Sequence, residues 1–92
     1  MLTFQEKREH LMTVLLRAKS LKTAEKMVAL SLAFKMDADG RSHITQREIC
    51  ALASISKPTL KRTVRSLEDK IGLEVDRLGH KNTYRFAQWR AL

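Results

Sequence analysis

Cationic and hydroxyl side chains are concentrated in the stretch that follows Ser56. The nine residues after Ser56 contain four cations and no acid, and the two acids of the stretch, Glu68 and Asp69, come only near its end. An arginine can donate two hydrogen bonds to O6 and N7 of one guanine, and lysine or hydroxyl groups can bind phosphate oxygens. These residue types therefore point to the chemistry of nucleic-acid binding. The four cations are Lys57, Lys61, Arg62 and Arg65.

The order of charges along this stretch opposes the dipole of a helix. A helix is stabilised by acids in its first turn and bases in its last, each by a few tenths to about 1 kcal/mol. Here most bases come first and the acids come late. We interpret the stretch as a helix whose N-terminal half enters the major groove of duplex DNA. A solvated basic face on an ordinary helix is the alternative.

A helix from Lys57 to Lys70 separates apolar from basic residues. At about 100° per residue, Leu60, Val64 and Leu67 share one side, with Ile71 continuing the stripe. Pro58, Arg62 and Arg65 lie on the opposite side and Lys61 on the flank, so we predict that Arg62 and Arg65 read bases. The full set of predicted base or phosphate contacts in this helix is Ser56, Lys57, Pro58, Thr59, Lys61, Arg62, Arg65 and Ser66.

Two further basic segments flank this helix in the sequence. Thr45, Gln46 and Arg47 begin the preceding helix, where free amides and a positive dipole end suit a phosphate. Simple capping with exposed side chains is the other interpretation. A turn in a predicted β-hairpin carries a second group of basic and polar side chains. These side chains would contact the minor groove or the DNA backbone; the alternative is a charged turn with no DNA contact. That group is Arg77, His80, Lys81, Asn82 and Arg85.

Capping signals and apolar spacing predict the helices that position these residues. Thr3 with Glu6 is a capping box that begins a helix running to about Lys19. A second, mostly apolar helix begins near Thr23, is expected to be central, and ends before a plain turn at residues 37–40. Met27 and Met36 are expected in the core. Thr45 caps a helix to about Ala53, and the predicted inward side chains of that helix are Ile49, Leu52 and Ala53.

The remaining elements are short. Residues 54–56 form a tight turn, Ser56 caps the basic helix, and Gly72 ends it. Ile44 is expected in a very short strand. Alternation of apolar and polar residues around Val75 and Tyr84 predicts the hairpin, and Phe86, Trp89 and Leu92 are spaced as in a short helix. The predicted fold class is therefore α+β, mainly α with a small β-hairpin.

Overall composition limits the partner and the compartment. The chain has 92 residues, a formal net charge of +8 and a pI near 10.2. Most of the excess positive charge follows residue 40, which favours a polyanionic partner; an anionic membrane surface is the rival. One cysteine, a charged N-terminus and no apolar run of about 20 residues predict a cytoplasmic, nucleoid-associated protein without a membrane segment.

Catalytic and metal-binding patterns find little support in the sequence. His10, His43 and His80 are far apart and share no zinc-type spacing with Cys50. No glycine-rich phosphate loop, serine elbow or carboxylate pair is present. We therefore predict no enzyme activity, no metal and no cofactor, and we interpret Cys50 as a small side chain packed where two helices cross.

The segment 45–86 resembles a known family. The run ITQREICALASISKPTLKRTVRSLEDKIGLEVDRLGHKNTYRF is similar to the winged helix-turn-helix domains of bacterial, phage and plasmid regulators and replication or maintenance proteins. The resemblance implies that the helix after Ser56 is the recognition helix and that residues 80–82 form the wing tip. Two features depart from the family pattern. Ser54 stands where glycine is common, and DKIGLEV has one more residue before its glycine than the commoner KGLLEV pattern.

These observations give a domain plan and ranked hypotheses. In this plan residues 1–20 are an extra helix that serves packing or self-association. The Trp89 tail has the same two possible roles, so a homodimer is one hypothesis. Residues 21–92 form the winged helix-turn-helix domain. The first hypothesis for function is sequence-specific binding of double-stranded DNA by a transcriptional repressor of a plasmid, phage or bacterial operon. The second is an origin- or repeat-binding domain of a replication or partition protein. The third is a protein-interaction winged helix without a DNA role.

Overall fold

The computed structural model describes residues 2–77 and 82–92, which form four α-helices, three short strands and a C-terminal 3₁₀ helix. This is a mainly helical α+β fold, as the sequence predicts. The 3₁₀ helix spans Ala87–Ala91. The other elements, in chain order, are α1 (Phe4–Arg17), α2 (Thr23–Phe34), β1 (Arg41–Ser42), α3 (Gln46–Ala53), α4 (Lys57–Ile71), β2 (Glu74–Asp76) and β3 (Thr83–Arg85).

Side-chain caps fix the starts of three helices. The Thr3 hydroxyl accepts a hydrogen bond from the Glu6 amide at 3.1 Å, and the Glu6 carboxylate accepts one from the Thr3 amide at 3.3 Å. Thr45 caps α3 by accepting from the amide of Glu48 at 3.1 Å. Ser56 caps α4 in the same way at 3.4 Å. The predicted helix starts at these three caps are thus confirmed.

Helix α2 lies at the centre of the core. Val28, Ala29, Leu32 and Ala33 are fully buried, and α2 packs against α1, α3 and α4. The prediction that α2 is apolar and buried on most sides is confirmed. Met27, however, was expected in the core and is 40% exposed, because it lies on the side of α2 opposite the buried row.

A three-stranded antiparallel sheet in the order β1-β3-β2 closes the C-terminal half of the fold. Tyr84 of β3 lies between Ser42 and Val75, which places these side chains on one face of the sheet. The predicted hairpin is confirmed, but the strand expected at Ile44 is wrong. The strand ends at Ser42, and Ile44 is a buried residue of the connection because the next residue, Thr45, must cap α3.

Helix α3 buries less of its surface than the sequence suggests. Ile49 and Ala53 are four residues apart on one side of the helix and are buried. Leu52 was predicted to face inward, yet it is 46% exposed. A helix of two turns has one narrow contact stripe here, and Leu52 lies about 60° to one side of Ile49.

The C-terminal tail packs into the core. Trp89 is 4% exposed and meets the Phe4 ring edge-on, with 5.7 Å between ring centroids. The Lys7 ammonium lies 4.3 Å from the centre of the Trp89 ring. Of the two roles considered for Trp89, the structure gives core packing. Among the described residues, no helix combines the length and apolarity that crossing a bilayer requires.

Candidate nucleic-acid interface

Helix α4 divides into a buried and an exposed side, as the sequence predicts. Its inward side chains are Leu60, Thr63, Val64 and Leu67, and the Thr63 hydroxyl donates to the Thr59 carbonyl at 2.7 Å. Gly72 ends the helix with φ +67°. The exposed side includes Lys57, Pro58, Lys61, Arg62 and Arg65, and we call the four cations among these the basic row.

The four cations of the basic row have no acidic partner among residues 2–77 and 82–92. The ion pairs of this part of the chain are His43 with Asp37, Lys70 with Glu25, and Arg77 with Glu68. Within α4 no acid lies in the first turn. The N-terminal half of α4 therefore presents positive charge to solvent without internal neutralisation.

Hydrogen bonds link the cap of α4 to one arginine of the basic row. The Ser56 hydroxyl donates to the Thr59 hydroxyl at 3.0 Å, and Nη2 of Arg62 donates to the same Thr59 oxygen at 3.4 Å. This chain of contacts directs the Arg62 guanidinium toward the N-terminus of the helix. Ordering a long side chain before a partner arrives lowers the entropic cost of binding.

A three-residue turn connects α3 to α4. Ser54 adopts the left-handed conformation with φ +56° and ψ +48°, and the Ile55 amide bonds the Cys50 carbonyl at 3.1 Å. Serine thus occupies a positive-φ position at which the domains that the sequence resembles commonly have glycine. Cys50 is half-buried and packs against the core. The turn fixes the angle at which α4 leaves α3.

The start of α3 lies beside the basic row. The Thr45 hydroxyl is engaged in capping, and Arg47 is exposed. Gln46 is half-buried and lines the same cleft as Lys61 and Arg65 of α4. The structure therefore brings one of the three predicted phosphate contacts, Gln46, directly against α4.

The hairpin residues named from the sequence occupy different faces. Arg77 forms two contacts with the Glu68 carboxylate of α4, at 3.2 and 3.4 Å, and Asn82 lies nearby. Arg85 points away from the Tyr84 face and lies opposite Arg41 on the outer side of the sheet. His80 and Lys81 lie outside the described residues.

A cleft of about 320 Å³ separates α4 from the hairpin. Its walls come from three elements that are distant in the sequence, so no local pattern predicts it. The floor is apolar and consists of Leu60 and Val64. The polar walls are formed by Gln46, Lys61, Arg65, Arg77, Asn82 and Tyr84.

Tyr84 is the most buried polar residue of the cleft, at 1% exposure. Burial raises the pKa of its phenol above the ordinary value, against smaller lowering effects of the Asn82 hydrogen bond and the nearby Arg77 charge. The phenol therefore stays neutral at physiological pH. Its oxygen accepts a hydrogen bond from Nδ2 of Asn82 at 3.3 Å.

A polar network anchors the C-terminal end of α4 to α2. Nζ of Lys70 donates to Glu25 at 2.9 Å and to the Ser20 carbonyl at 3.0 Å. The Glu25 carboxylate is 6% exposed and also accepts from the Lys22 amide at 2.7 Å. The hydrogen bond from Ser66, together with those from Lys22 and Lys70, outweighs burial and lowers the Glu25 pKa to about 2.

This network has two consequences for the sequence predictions. Ser66 was named as a DNA contact, but its hydroxyl bonds Glu25 on the α2 side of α4, apart from the basic row. Glu25 itself was not singled out, since its partners Ser66 and Lys70 are more than 40 positions away in the sequence. The only local signal was the spacing of Lys22 and Glu25, three residues apart at a helix start.

Comparison with known proteins gives no relative: no family model matches the chain, and no curated protein or solved structure matches it significantly. Within the described residues, no group of three or more histidine, cysteine or acidic side chains is placed to hold a metal ion.

Proposed function

We propose that this chain binds double-stranded DNA in a sequence-specific manner, as a winged helix-turn-helix in which α3 and α4 form the helix-turn-helix and the β2–β3 hairpin forms the wing. The observation that carries the proposal is the basic row: Lys57, Lys61, Arg62 and Arg65 are exposed and without an acidic partner in the described part of the chain. A polyanion would neutralise this row.

The packing of three helices supports this assignment. Helices α2, α3 and α4 contact one another pairwise, and the short turn at Ser54 joins the last two. In helix-turn-helix proteins the second helix of the pair lies in the major groove and presents its N-terminal residues to base edges. The basic row occupies that part of α4.

Different residues of the surface serve different purposes in this proposal. Arg62 and Arg65 read base edges, because a guanidinium can bind O6 and N7 of guanine together. Lys57 and Lys61 bind phosphates at the groove edge. Arg47 at the start of α3 adds a phosphate contact that fixes the orientation of the protein on the duplex.

The biological role that we propose is transcriptional repression in a plasmid, phage or bacterial operon, by occupying a promoter. A single reading helix covers few base pairs, so two copies on half-sites about 34 Å apart would give the required affinity. An origin- or repeat-binding role in replication or partition uses the same DNA chemistry. The symmetry and copy number of the preferred site distinguish these roles.

Selection of bound duplexes from a random library, followed by affinity measurements across a salt series, tests the proposal. We expect one enriched motif, bound at least 10³-fold more tightly than random DNA at physiological salt. Absence of enrichment, with residual binding that disappears as salt rises, would contradict sequence-specific recognition. Binding of a protein partner that is insensitive to salt would favour the interaction-domain hypothesis.

Matched variants test the assignment of the basic row. Arg62→Ala and Arg65→Ala should each reduce the preference at one base pair by roughly 1–3 kcal/mol. Arg17→Ala removes the same charge from α1, which packs against α2 and the 3₁₀ helix, and should leave that preference unchanged. Equal losses on specific and random DNA would show that the two arginines bind only phosphates.

A further inference from the structure

We propose that the cleft between α4 and the hairpin binds a small organic anion, an apolar body carrying one phosphate or carboxylate group, and that its occupant competes with duplex DNA. The proposed binding site depends only on the cleft itself. Only the competition rests on the proposed function, because it requires that α4 and the hairpin bind DNA.

The size and floor of the cleft match an organic molecule. At about 320 Å³ the cleft lies at the lower end of the range for small-molecule sites, roughly 300–1,000 Å³. Its floor is formed by the aliphatic side chains of Leu60 and Val64. Leu60 and Val64 are only 1% and 6% exposed. The apolar contact for a ligand therefore comes mainly from the aliphatic parts of the lining cations Lys61, Arg65 and Arg77. A bare phosphate would fill little of this volume, whereas an organic body would displace the water from it.

The walls provide charge for the anionic end. Lys61 and Arg65 reach the cleft from α4 and have no acidic partner in the described ranges. Arg77 reaches it from the hairpin, where its two contacts with Glu68 fix the guanidinium. The described lining therefore holds three cations, of which one is paired with Glu68, and the surplus positive charge faces the cleft. Hydrogen bonds to an ionised group in such a space are the stronger kind.

Tyr84 adds a buried donor to the cleft. Its side chain is 1% exposed, and its oxygen already accepts from Asn82. Among residues 2–77 and 82–92 the phenol donates no hydrogen bond. Because burial raises the phenol pKa, the phenolic proton is retained at neutral pH. A carboxylate or phosphate oxygen in the cleft would accept it.

The same residues explain the expected competition. Lys61 and Arg65 belong both to the cleft and to the basic row. An anion that engages them neutralises part of the proposed DNA surface. It would also occupy the gap between the reading helix and the hairpin, so ligand and duplex would exclude each other.

Titration of the ¹⁵N-labelled full chain with phenyl phosphate, followed by two-dimensional NMR, tests the site. We expect saturable shifts of the amides at Lys61, Val64 and Asn82. Inorganic phosphate and phenol, each half of the probe, should bind at least tenfold more weakly. Tyr84→Phe, which removes only the hydroxyl, should weaken phenyl phosphate binding by roughly three- to tenfold. Lys61→Gln should do so as well, and Arg62→Gln, whose residue does not line the cleft, should not.

Several outcomes would overturn the proposal. One is the absence of a saturable shift when phenyl phosphate reaches a 10-fold excess over roughly 1 mM protein, a concentration at which a Kd of about 1 mM would be detected. Another is a response to inorganic phosphate equal to that of phenyl phosphate, which would indicate a DNA-phosphate or adventitious anion site. Displacement of a fluorescent duplex by phenyl phosphate tests the competition separately. Saturable binding to a chain that binds no DNA would refute the proposed function and leave the ligand site standing.

Discussion

Replacement of Glu25 by glutamine should destabilise the chain strongly at neutral pH and hardly at all in acid. Hydrogen bonds from Ser66, the Lys22 amide and Lys70 outweigh burial and lower the pKa of Glu25 from 4.5 to about 2. Each unit of difference between the folded and unfolded pKa corresponds to about 1.4 kcal/mol. The ionised carboxylate therefore contributes about 3 kcal/mol to the free energy of unfolding at pH 7.

The sign of the pH dependence follows from the direction of the shift. A carboxyl whose pKa is lower in the folded chain stabilises the fold fully above its unfolded pKa, and it loses this contribution as pH falls from about 5 to about 2. Glutamine cannot ionise, so Glu25→Gln should lack this portion of the pH dependence. The difference between wild type and variant should shrink from about 3 kcal/mol at pH 7 toward zero near pH 2.

Urea denaturation of both proteins at several pH values measures this difference. In a domain of this size, 3 kcal/mol corresponds to a fall in Tm of roughly 12–24 °C. Burial opposes the lowering of the Asp37 pKa, but hydrogen bonds from the Arg41 amide and the His43 side chain outweigh it. The resulting pH dependence is the same in both proteins, so it cancels in the difference between them. Glu74→Gln, at an exposed position, is the matched control and should change stability by less than about 0.5 kcal/mol. A constant difference between wild type and Glu25→Gln from pH 7 to pH 2.5 would refute the reasoning.

Three further predictions concern the turns and the hairpin. Ser54→Gly should raise the free energy of unfolding by about 0.5–1 kcal/mol, because residue 54 has φ +56°; a lower urea midpoint would contradict this. Gly40→Ala should lower the free energy of unfolding by about 1–3 kcal/mol, because its Cβ would clash with Cδ1 of Trp89. Unfolding followed by Trp89 fluorescence measures this, and an unchanged midpoint would contradict the clash. Glu68→Gln should release Arg77 and change the free energy of unfolding by less than about 1 kcal/mol. Because the freed guanidinium can bind one more phosphate, the slope of log affinity against log salt for random DNA should steepen by about one. An unchanged slope would place Arg77 away from the DNA.

Local rules of sequence predicted the parts of the fold that local physics determines. The caps at Thr3, Thr45 and Ser56 were correct because a side chain and an amide three residues away satisfy each other without help from distant residues. The buried stripe of α4 was likewise correct, because helical periodicity places its members on one side.

The predictions that failed, and the features that were missed, depend on distant contacts. Ile44 belongs to no strand because pairing of Ser42 with Tyr84 and capping by Thr45 together end β1 early. Leu52 is exposed because only the placement of α3 on α2 decides which flank is covered. Glu25 and the cleft were missed because their partners come together only after the chain folds. Tertiary contacts of this kind override local preference.

Helix α4 is attached to the fold at sites separate from its exposed surface. Leu60, Val64 and Leu67 hold its inner side, and Lys70 fixes its last turn to α2. Substitutions at exposed positions away from such contacts usually alter stability by less than about 0.5 kcal/mol. The basic row can therefore diverge by single mutations without endangering folding. A library randomised at residues 57, 61, 62 and 65 alone should yield mostly folded proteins, and new target preferences could be sought on an unchanged scaffold.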